Sequence, residues 1–255
     1  MYLQKFEVKN KTALVTGAGK GIGKASAIAL AEAGADLIIL SRTLTDLNKV
    51  KKQINKLKRK CTVFECDVSR AAEVKSVFKQ INSLDILVNN AGTNRPDHFT
   101  KIKKEDMDYV VDLNIKAAFH VAQIATKVML KSKNRKTKGG SIINMSSQLG
   151  HVGMAGRNIY NMTKFGIEGL TKGMGVELAS RNIRVNTVAP TFVETPMVKR
   201  FFKNKKFKKL ALSNIPMGKA AKEADVATTV AFLASDAASM ITGASILIDG
   251  GWTAK

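Results

Sequence analysis

The stretch VTGAGKGIGKA, residues 15–25, places four glycines, at 17, 19, 21 and 23, between an apolar run and a helical pattern. The run TALVT at 12–16 is typical of a buried strand, and the residues after the glycines set apolar side chains on one helical stripe. Glycines at 17, 21 and 23 let the backbone turn tightly and approach a ligand without a Cβ in the way, and the start of the helix offers free N–H groups to a phosphate. The segment therefore predicts a dinucleotide site built from strand, turn and helix.

Similar apolar runs recur along the chain and alternate with helical patterns. Runs that are continuous rather than alternating suit strands covered on both faces. Strict alternation of strand and helix predicts a parallel α/β sheet of seven strands, with ligands beyond the carboxyl ends of the strands. The further predicted strands are DLIIL (36–40), TVFE (62–65), LDILVNN (84–90), SIINMS (141–146), IRVNTVA (183–189) and ASILIDG (244–250), and LNKVKKQINKLKRK (47–60) is predicted as a helix.

The composition is that of an ordinary globular protein, with 255 residues of which 45% are hydrophobic and 24% charged. This length predicts a single domain over 1–255, since no repeat or linker interrupts the pattern. No run approaches the roughly 20 apolar residues that a membrane span needs. The N-terminus MYLQKFEVKNKTALVTG also lacks the apolar segment and cleavage site of a signal peptide. We therefore expect a cytoplasmic protein without a membrane partner.

The net charge is strongly positive at +22, from 42 Lys and Arg against 20 Asp and Glu. The cations fall in blocks at 49–60, 127–138 and 199–209, next to predicted helix ends or loops. A groove for single-stranded nucleic acid interleaves its cations with aromatic side chains, and these blocks do not. Specific nucleic-acid binding is therefore not expected, whereas an anionic substrate and a plain compositional bias both fit the excess.

Neither the cysteines nor the histidines indicate a metal site. Cys61 and Cys66 flank a short apolar run with no second cysteine pair and no nearby histidine, so we predict two buried free thiols rather than a zinc site or a disulfide. His98 and His120 have no partners at ligand spacing, and His151 is equally well a loop residue or a neighbour of the substrate. No metal is predicted.

The stretch NIYNMTKFG at 158–166 sets Tyr160 four residues before Lys164, so both side chains lie on one helical face, one turn apart. The pair alone is ambiguous, because a half-buried tyrosine beside a lysine that lies along apolar surface is common. Other motifs are needed to assign it a function.

Together with the glycine turn, five further motifs resemble the short-chain dehydrogenase/reductase family over essentially the whole chain. The resemblance implies a Rossmann-like doubly wound sheet with helices on both faces, an enzyme that interconverts a ketone and a secondary alcohol, and a homotetramer. It is closest to bacterial 3-oxoacyl-carrier reductases and to sugar or sugar-acid dehydrogenases, which the sequence does not separate. The motifs are T-G-x-x-x-G-x-G at 16–23, NNAG at 89–92, Asn114 in DLNIK, SIINMSS ending at Ser147, YNMTK at 160–164 and RVNTVAP at 184–190.

By this resemblance, Tyr160 exchanges a proton with the ketone oxygen while the cofactor exchanges hydride. Free tyrosine titrates near 10, so acid–base work near neutrality needs a lower pKa, and we expect the ammonium of Lys164 to lower it. Lys164 by resemblance also holds the nicotinamide ribose. Ser147 would donate a hydrogen bond to the developing alkoxide, with Ser146 as its rival if the register slips by one. Asn114 resembles the residue that anchors a proton-relaying water, or is merely a satisfied polar residue.

The end of the second predicted strand bears on the choice of cofactor. LSRT at 40–43 has Ser41 and Arg42 where an unphosphorylated ribose would call for Asp or Glu. An arginine can bind a 2′-phosphate through charge-assisted hydrogen bonds, and Lys20 could add a second cation. The alternative is that both cations face solvent. NADP(H) is favoured over NAD(H).

The resemblance also implies cofactor contacts outside the glycine turn. Asp67 and Val68 border the adenine, and Val193 and Thr195 face the nicotinamide carboxamide. Asp67 could instead cap the helix that begins in SRAAEV. The full predicted set of cofactor contacts is Gly17, Lys20, Gly21, Ile22, Gly23, Ser41, Arg42, Asp67, Val68, Asn90, Ala91, Gly92, Tyr160, Lys164, Pro190, Val193 and Thr195.

The segment TFVETPMVKRFFKNKKFKKLALSNIPM at 191–217 corresponds by resemblance to the substrate-covering part of the family. Phe201, Phe202 and Phe207 offer apolar lid surface. The cations at 199–209 could attract a phosphorylated, carboxylated or carrier-linked substrate, or form a solvated helix face.

Two other functions of the protein stay open. One is an epimerase or dehydratase for sugar nucleotides, which shares the Tyr-x-x-x-Lys pair, and the other is a non-catalytic dinucleotide sensor.

Overall fold

The computed structural model describes residues 2–132 and 139–255, and its strands form one parallel sheet. The strands are β1 (Thr12–Thr16), β2 (Asp36–Ser41), β3 (Cys61–Glu65), β4 (Ile86–Asn89), β5 (Gly140–Met145), β6 (Ile183–Pro190) and β7 (Ser245–Ile248). Their order in the sheet is β3-β2-β1-β4-β5-β6-β7. The predicted doubly wound parallel sheet is therefore confirmed.

Helices join successive strands and cover both faces of the sheet. The helices are α1 (Gly21–Glu32), α2 (Leu44–Lys56), α3 (Ala71–Phe78), α4 (Lys104–Val111), α5 (Ala118–Leu130), α6 (Asn158–Ala179), α7 (Pro196–Phe201), α8 (Lys205–Ser213) and α9 (Glu223–Ala234). A π-helical turn, Asp112–Ala117, joins α4 to α5. Short 3-10 turns occur at Leu3–Phe6, Phe99–Lys101, Gln148–Gly150, Asp236–Ala238 and Trp252–Ala254.

Each central strand contributes to two cores, because neighbouring residues of a strand point to opposite faces. In β1, Ala13 and Val15 join the core under α1, α2 and α9, whereas Leu14 joins the core under α3 and α5. In β4, Ile86 and Leu87 divide in the same way. All five side chains are fully buried. The carboxyl ends of the central strands are thus held by packing from both sides.

Most predicted boundaries differ from the structure by one or two residues, and two of the differences have a visible cause. The helix predicted at 47–60 lies at 44–56, because Lys58 adopts a left-handed φ of 57° that ends it. The strand predicted at 84–90 is limited to 86–89. The carboxylate of Asp85 accepts a hydrogen bond from the backbone N–H of Thr12 at 2.9 Å, so Asp85 joins the two strands through its side chain.

Other sequence predictions concern cysteines, charge and membranes. Cys61 and Cys66 are buried free thiols, as predicted, and burial raises the pKa of each to about 11. Across the described residues, we find no helix long and apolar enough to cross a bilayer and no cluster of three or more His, Cys, Asp or Glu suited to a metal. Of the cation block at 127–138, residues 133–138 lie outside the described residues.

The two-sided core predicts a large loss of stability for Leu87→Ala. Leu87 is fully buried in the middle of the sheet, and Leu3 is 81% exposed. Truncating a buried leucine leaves a cavity and typically costs about 2–5 kcal/mol. We expect that loss in urea-induced unfolding of Leu87→Ala, and a change within about 0.5 kcal/mol for the matched control Leu3→Ala. Equal effects of the two substitutions would contradict the assignment of Leu87 to the core.

Candidate active site

Glycine shapes the turn between β1 and α1. Gly17 has a left-handed φ of 65°, which favours glycine. A Cβ on Gly23 would stand 2.4 Å from the carbonyl oxygen of Gly17 and 2.5 Å from Nδ2 of Asn90. Asn90 fixes this packing, because its Nδ2 donates to the carbonyl oxygen of Thr16 at 2.9 Å. The turn therefore holds the N–H groups at the start of α1 against the end of β4.

A cavity of about 570 Å³ lies beyond the carboxyl ends of the strands. All the predicted cofactor contacts line it, from Gly17 in the glycine turn to Thr195 after β6, and so does Ser147. Asn114 is the only predicted site residue that does not. The fold thus gathers residues from seven separate segments into one site of the size that ligand pockets commonly have.

Unpartnered polar atoms are concentrated in the cavity wall. Among the described residues, six buried side-chain nitrogen or oxygen atoms lack a hydrogen-bond partner, and four of these belong to residues that line the cavity. The four residues are Asn94, Ser146, Arg157 and Thr191. An unpaired buried polar group costs free energy, and a small shift of these side chains toward a polar ligand would supply the missing bonds. The wall therefore suits a ligand rich in polar groups.

Arg42 and Lys20 line the cavity near the glycine turn. Nη1 of Arg42 lies 3.4 Å from the hydroxyl of Tyr109, and this hydrogen bond raises the pKa of Arg42. The side chain of Lys20 is 72% exposed, and its Nζ lies 3.9 Å from Oδ2 of Asp46. Asp46 lines the same cavity and was not singled out from sequence. The predicted phosphate end therefore has two cations and one carboxylate.

Asp67 does not cap the helix α3, which was the alternative interpretation of this residue from the sequence. The residue before α3 is Arg70, whereas Oδ1 of Asp67 accepts hydrogen bonds from the N–H and the hydroxyl of Ser69 at 3.0 and 2.7 Å. Burial alone would raise the pKa of Asp67, but these bonds and the charge of Arg42 outweigh it and lower the pKa. Asp67 is thus a charged group on the cavity wall.

Tyr160 and Lys164 share a face in the first turns of α6, as the spacing predicts. Both line the cavity, and Nζ of Lys164 lies 5.3 Å from the centroid of the Tyr160 ring. Lys164 is buried, and its Nζ donates to the carbonyl oxygen of Met145 at 2.6 Å. Burial lowers the pKa of Lys164 to about 8, although the charge of Glu168 opposes this.

The pKa of Tyr160 moves opposite to the expectation from sequence. Burial raises it to about 12, and hydrogen bonding with Ser147 and the charge of Arg157 offset this only in part. Lys164 is not among the groups that set this pKa in the chain by itself, and its ammonium donates to the Met145 carbonyl. The expected lowering by Lys164 is therefore wrong for the chain by itself. The phenol is neutral at physiological pH, which is the form that can donate a proton.

Ser147 follows β5 and is engaged by its own neighbours. Its hydroxyl donates to Oε1 of Gln148 at 2.8 Å and accepts from the backbone N–H of Leu149 at 3.2 Å. Gln148, which sequence reasoning did not single out, therefore competes with a substrate for this hydroxyl. The rival Ser146 also lines the cavity, and its hydroxyl has no partner. Both serines thus belong to the cavity wall, but the hydroxyl of Ser146 is buried against Gly150.

Asn114 lies in the π-helical turn, and its amide is fully used. Oδ1 accepts from the backbone N–H of Thr93 at 2.8 Å, while Nδ2 donates to the Thr93 carbonyl at 2.9 Å and to the Thr163 hydroxyl at 3.1 Å. This arrangement fixes the chain after the NNAG motif onto α6. Of the two readings of Asn114, the geometry favours the satisfied polar residue.

His151 lies outside the cavity, so the structure does not support a contact with substrate. Its Nε2 is 2.9 Å from the hydroxyl of Ser245 and 3.2 Å from Oε1 of Glu168. The carboxylate of Glu168 is also hydrogen-bonded to the hydroxyl of Thr187 at 2.9 Å. These contacts join the loop after β5 to α6 and the last strands.

Arg157 is the most prominent cavity residue that sequence reasoning missed. It is only 7% exposed and precedes Tyr160 by three residues. Its guanidinium carbon lies 5.1 Å from the ring centroid of Phe201 and 5.6 Å from that of Phe207. Arg157 therefore packs between the start of α6 and the predicted lid. The one signal in the sequence is its position beside the tyrosine.

Comparison with known proteins gives one family across nearly the whole chain. Residues 17–253 match a family model described as enoyl-(acyl carrier protein) reductase. A 3-oxoacyl-[acyl-carrier-protein] reductase from Thermotoga maritima is 39% identical over 248 residues, which is 96% of this chain and 98% of that protein.

Solved structures agree with this fold and differ in the substrates and cofactors that they name. A candidate 2-deoxy-D-gluconate 3-dehydrogenase from Agrobacterium tumefaciens with bound NADP is 33% identical, with a TM-score of 0.91 over 98% of this chain and 99% of that one. A 3-ketoacyl-(acyl-carrier-protein) reductase from Brucella melitensis complexed with NADH is 30% identical, with a TM-score of 0.88 over 97% of this chain and 100% of that one.

The raised pKa of Tyr160 predicts that its phenol does not ionise below about pH 10 in the cofactor-free protein. The absorbance of ionised tyrosine is followed against pH for the wild type and for Tyr160→Phe, and the difference isolates Tyr160. Because folding raises the pKa of Tyr160 to about 12, its ionisation should lie above that of free tyrosine, and the difference should stay flat up to about pH 10. A midpoint below about pH 9 would show that the chain lowers this pKa by itself.

Proposed function

Because the chain belongs to the short-chain dehydrogenase/reductase family and is an NAD(P)-dependent oxidoreductase acting on CH–OH groups, we propose that it interconverts a ketone and a secondary alcohol with NADP(H), using Tyr160 as acid and base. One observation carries the proposal. Tyr160, Lys164 and Ser147 line a single cavity whose other end is the glycine turn and Arg42. A proton donor and a dinucleotide site are thus parts of one cleft.

The residues of the cavity fit a dinucleotide. Gly17, Gly21 and Gly23 line the cavity, so the start of α1 faces the space that a pyrophosphate would take. Asp67 and Val68 would border the adenine, and Lys164 would hold the nicotinamide ribose. When bound, the nicotinamide supplies or accepts the hydride.

The chain's own residues then handle the proton. In the direction of reduction, neutral Tyr160 donates its phenolic proton to the ketone oxygen and becomes tyrosinate. The ammonium of Lys164, whose Nζ lies 5.3 Å from the centroid of the Tyr160 ring, would stabilise this anion once cofactor and substrate are bound, although Lys164 does not set the pKa of Tyr160 in the chain by itself. Ser147 hydrogen-bonds the same oxygen once its hydroxyl turns away from Gln148. In the direction of oxidation the tyrosinate takes the proton from the alcohol.

Asn114 supports this site without touching the reacting atoms. Its three hydrogen bonds tie Thr93 to Thr163, and Thr163 immediately precedes Lys164. We therefore place it as a positioning residue. The water relay that the resemblance implies stays a prediction.

NADP(H) rather than NAD(H) fits the end of β2. Ser41, Arg42 and Lys20 line the cavity there. A guanidinium suits a 2′-phosphate, which a carboxylate at the strand end would repel. The carboxylate of Asp46 would repel a 2′-phosphate, but its charge is offset by the ammonium groups of Lys20 and Lys49, which lie 3.9 and 4.0 Å from its oxygens.

The segment 191–217 supplies the cover over the substrate. Phe192 and Phe201 line the cavity, whereas Phe202 and Phe207 pack against Phe192 at centroid distances of 5.6 and 5.7 Å. Of the cations at 199–209, Arg200 alone lines the cavity. The remaining cations therefore fit a solvated face better than a substrate site.

Two substrate classes fit this cover. The aromatic lining suits the acyl chain of a 3-oxoacyl thioester, the class named for the Thermotoga maritima relative. The buried Arg157 suits a sugar acid, the class of the Agrobacterium tumefaciens neighbour.

A homotetramer and a cytoplasmic location stay predictions. The last strand, β7, is partly exposed, with Leu247 at 41% exposure, and is compatible with an interface between subunits.

The first test is turnover of a panel of ketones, sugar acids and 3-oxoacyl thioesters, followed at the absorbance of reduced nicotinamide with both cofactors. We expect reduction of at least one class, and a loss of at least about 1,000-fold in kcat for Tyr160→Phe, since the proton donor is removed. Binding of NADPH, measured by its fluorescence, should change less than about threefold. Undiminished turnover by Tyr160→Phe would overturn its role, and no turnover by the wild type would overturn the proposed function.

The second test concerns the cofactor phosphate. Arg42→Ala should raise the KM for NADPH by about 10-fold to 100-fold, as expected for losing a charge-assisted contact worth about 1.5–3 kcal/mol, and should leave the KM for NADH within about twofold. Arg181→Ala, an exposed arginine away from the cavity, serves as the matched control. Equal changes in the KM for NADPH and for NADH would mean that Arg42 does not bind the 2′-phosphate.

A further inference from the structure

A buried guanidinium stands beside the reacting group without a counter-charge. Arg157 is 7% exposed, and its guanidinium makes neither an ion pair nor a hydrogen bond with any described residue. Its Nη1 is one of the buried atoms that lack a partner. A buried cation is costly unless it is paired. The fold nevertheless keeps Arg157 in place by stacking it on Phe201 and Phe207.

The acidic side chains of the cavity cannot serve as that counter-charge. Those that line it are Asp46 and Asp67, and both lie at the predicted adenosine end. Asp46 is near Lys20, and Asp67 feels the charge of Arg42. At the substrate end, no carboxylate of the described residues lines the cavity. The negative charge that suits Arg157 is therefore missing from the chain itself.

The position of Arg157 relative to Tyr160 determines where on a bound ligand a negative charge would lie. Arg157 directly precedes α6, and Tyr160 lies in its first turn. The charge of Arg157 acts on the phenol of Tyr160, and that phenol acts on Arg157 in return. A ligand whose ketone reaches Tyr160 thus has its neighbouring atoms close to the guanidinium.

We propose that Arg157 binds the carboxylate of the substrate, which makes the substrate an oxo acid, or the matching hydroxy acid, with a free carboxylate a few bonds from the reacting carbon. This inference rests on the proposed function and deepens it. A carboxylate gives the guanidinium two hydrogen bonds and a full counter-charge. A thioester carbonyl offers an acceptor but no charge, so it compensates the buried cation less well.

The same contact couples substrate binding to the lid. Arg157 stacks on Phe201 in α7 and on Phe207 in α8, and both helices belong to the segment 191–217. Phe201 and Arg157 both line the cavity. A carboxylate held by Arg157 is therefore enclosed by the covering segment, away from water, where an ion pair is strong.

The test compares a short 3-oxo acid with its ethyl ester and with the N-acetylcysteamine thioester of the same acid, so that the ketone is constant. Where the panel of ketones shows a sugar acid to be the better substrate, that acid and its amide form the pair. The wild type should favour the acid over its neutral partners by at least about 10-fold in kcat/KM. Arg157→Gln should lower kcat/KM for the acid by about 10-fold to 100-fold and for the neutral partners by less than about threefold.

Control measurements separate the possible outcomes. Arg157→Lys keeps the charge and should retain part of the preference for the acid, Arg181→Gln should behave as the wild type, and the Kd for NADPH should change less than about twofold in every variant. An equal loss of kcat/KM for acid and neutral partners in Arg157→Gln would overturn the inference, because Arg157 would then only hold the lid. A wild type that prefers the ester or thioester, or that reduces only ketones without a carboxylate, overturns it as well while leaving the proposed function intact. Absence of any ketone reduction would instead refute the proposed function.

Discussion

The hydrogen bond from Nζ of Lys164 to the carbonyl oxygen of Met145, at 2.6 Å, is the contact on which the site depends. It fixes α6 against the carboxyl end of β5, and β5 is itself held by cores on both faces of the sheet. Ser147 lies two residues beyond Met145, and Tyr160 lies one turn before Lys164. One buried contact therefore helps to bring a serine and a tyrosine from different elements to the same cavity.

Much of the fold could be predicted because its signals are local. Continuous apolar runs predict two-sided strands, and the glycines after TALVT predict the turn at the end of β1. All seven strands lie within about two residues of their predicted positions. Deviations arise where a single residue decides a boundary, such as the left-handed Lys58 after α2, and the apolar pattern carries no signal for such a conformation.

The candidate site could be predicted only where motifs carry it. The predicted cofactor contacts and the tyrosine, lysine and serine line one cavity. The interactions that tune them could not be predicted, since they join residues far apart in the chain or depend on burial. The hydroxyl of Ser147 donates to the side chain of Gln148, and the carboxylate of Asp46 lies near the ammonium of Lys20. Burial, rather than Lys164, is the main cause of the raised pKa of Tyr160. Arg157 carries no motif, and its burial beneath two lid phenylalanines becomes visible only in three dimensions.

The central claim is that neutral Tyr160 delivers a proton to a ketone held in this cavity. It is tested most directly by a structure of the protein with NADPH and a ketone or an unreactive analogue. The account predicts that the hydroxyl of Tyr160 lies about 3 Å from the carbonyl oxygen, with the nicotinamide on the adjoining wall. A carbonyl oxygen directed away from Tyr160, with its hydrogen bonds made to other side chains, would contradict it.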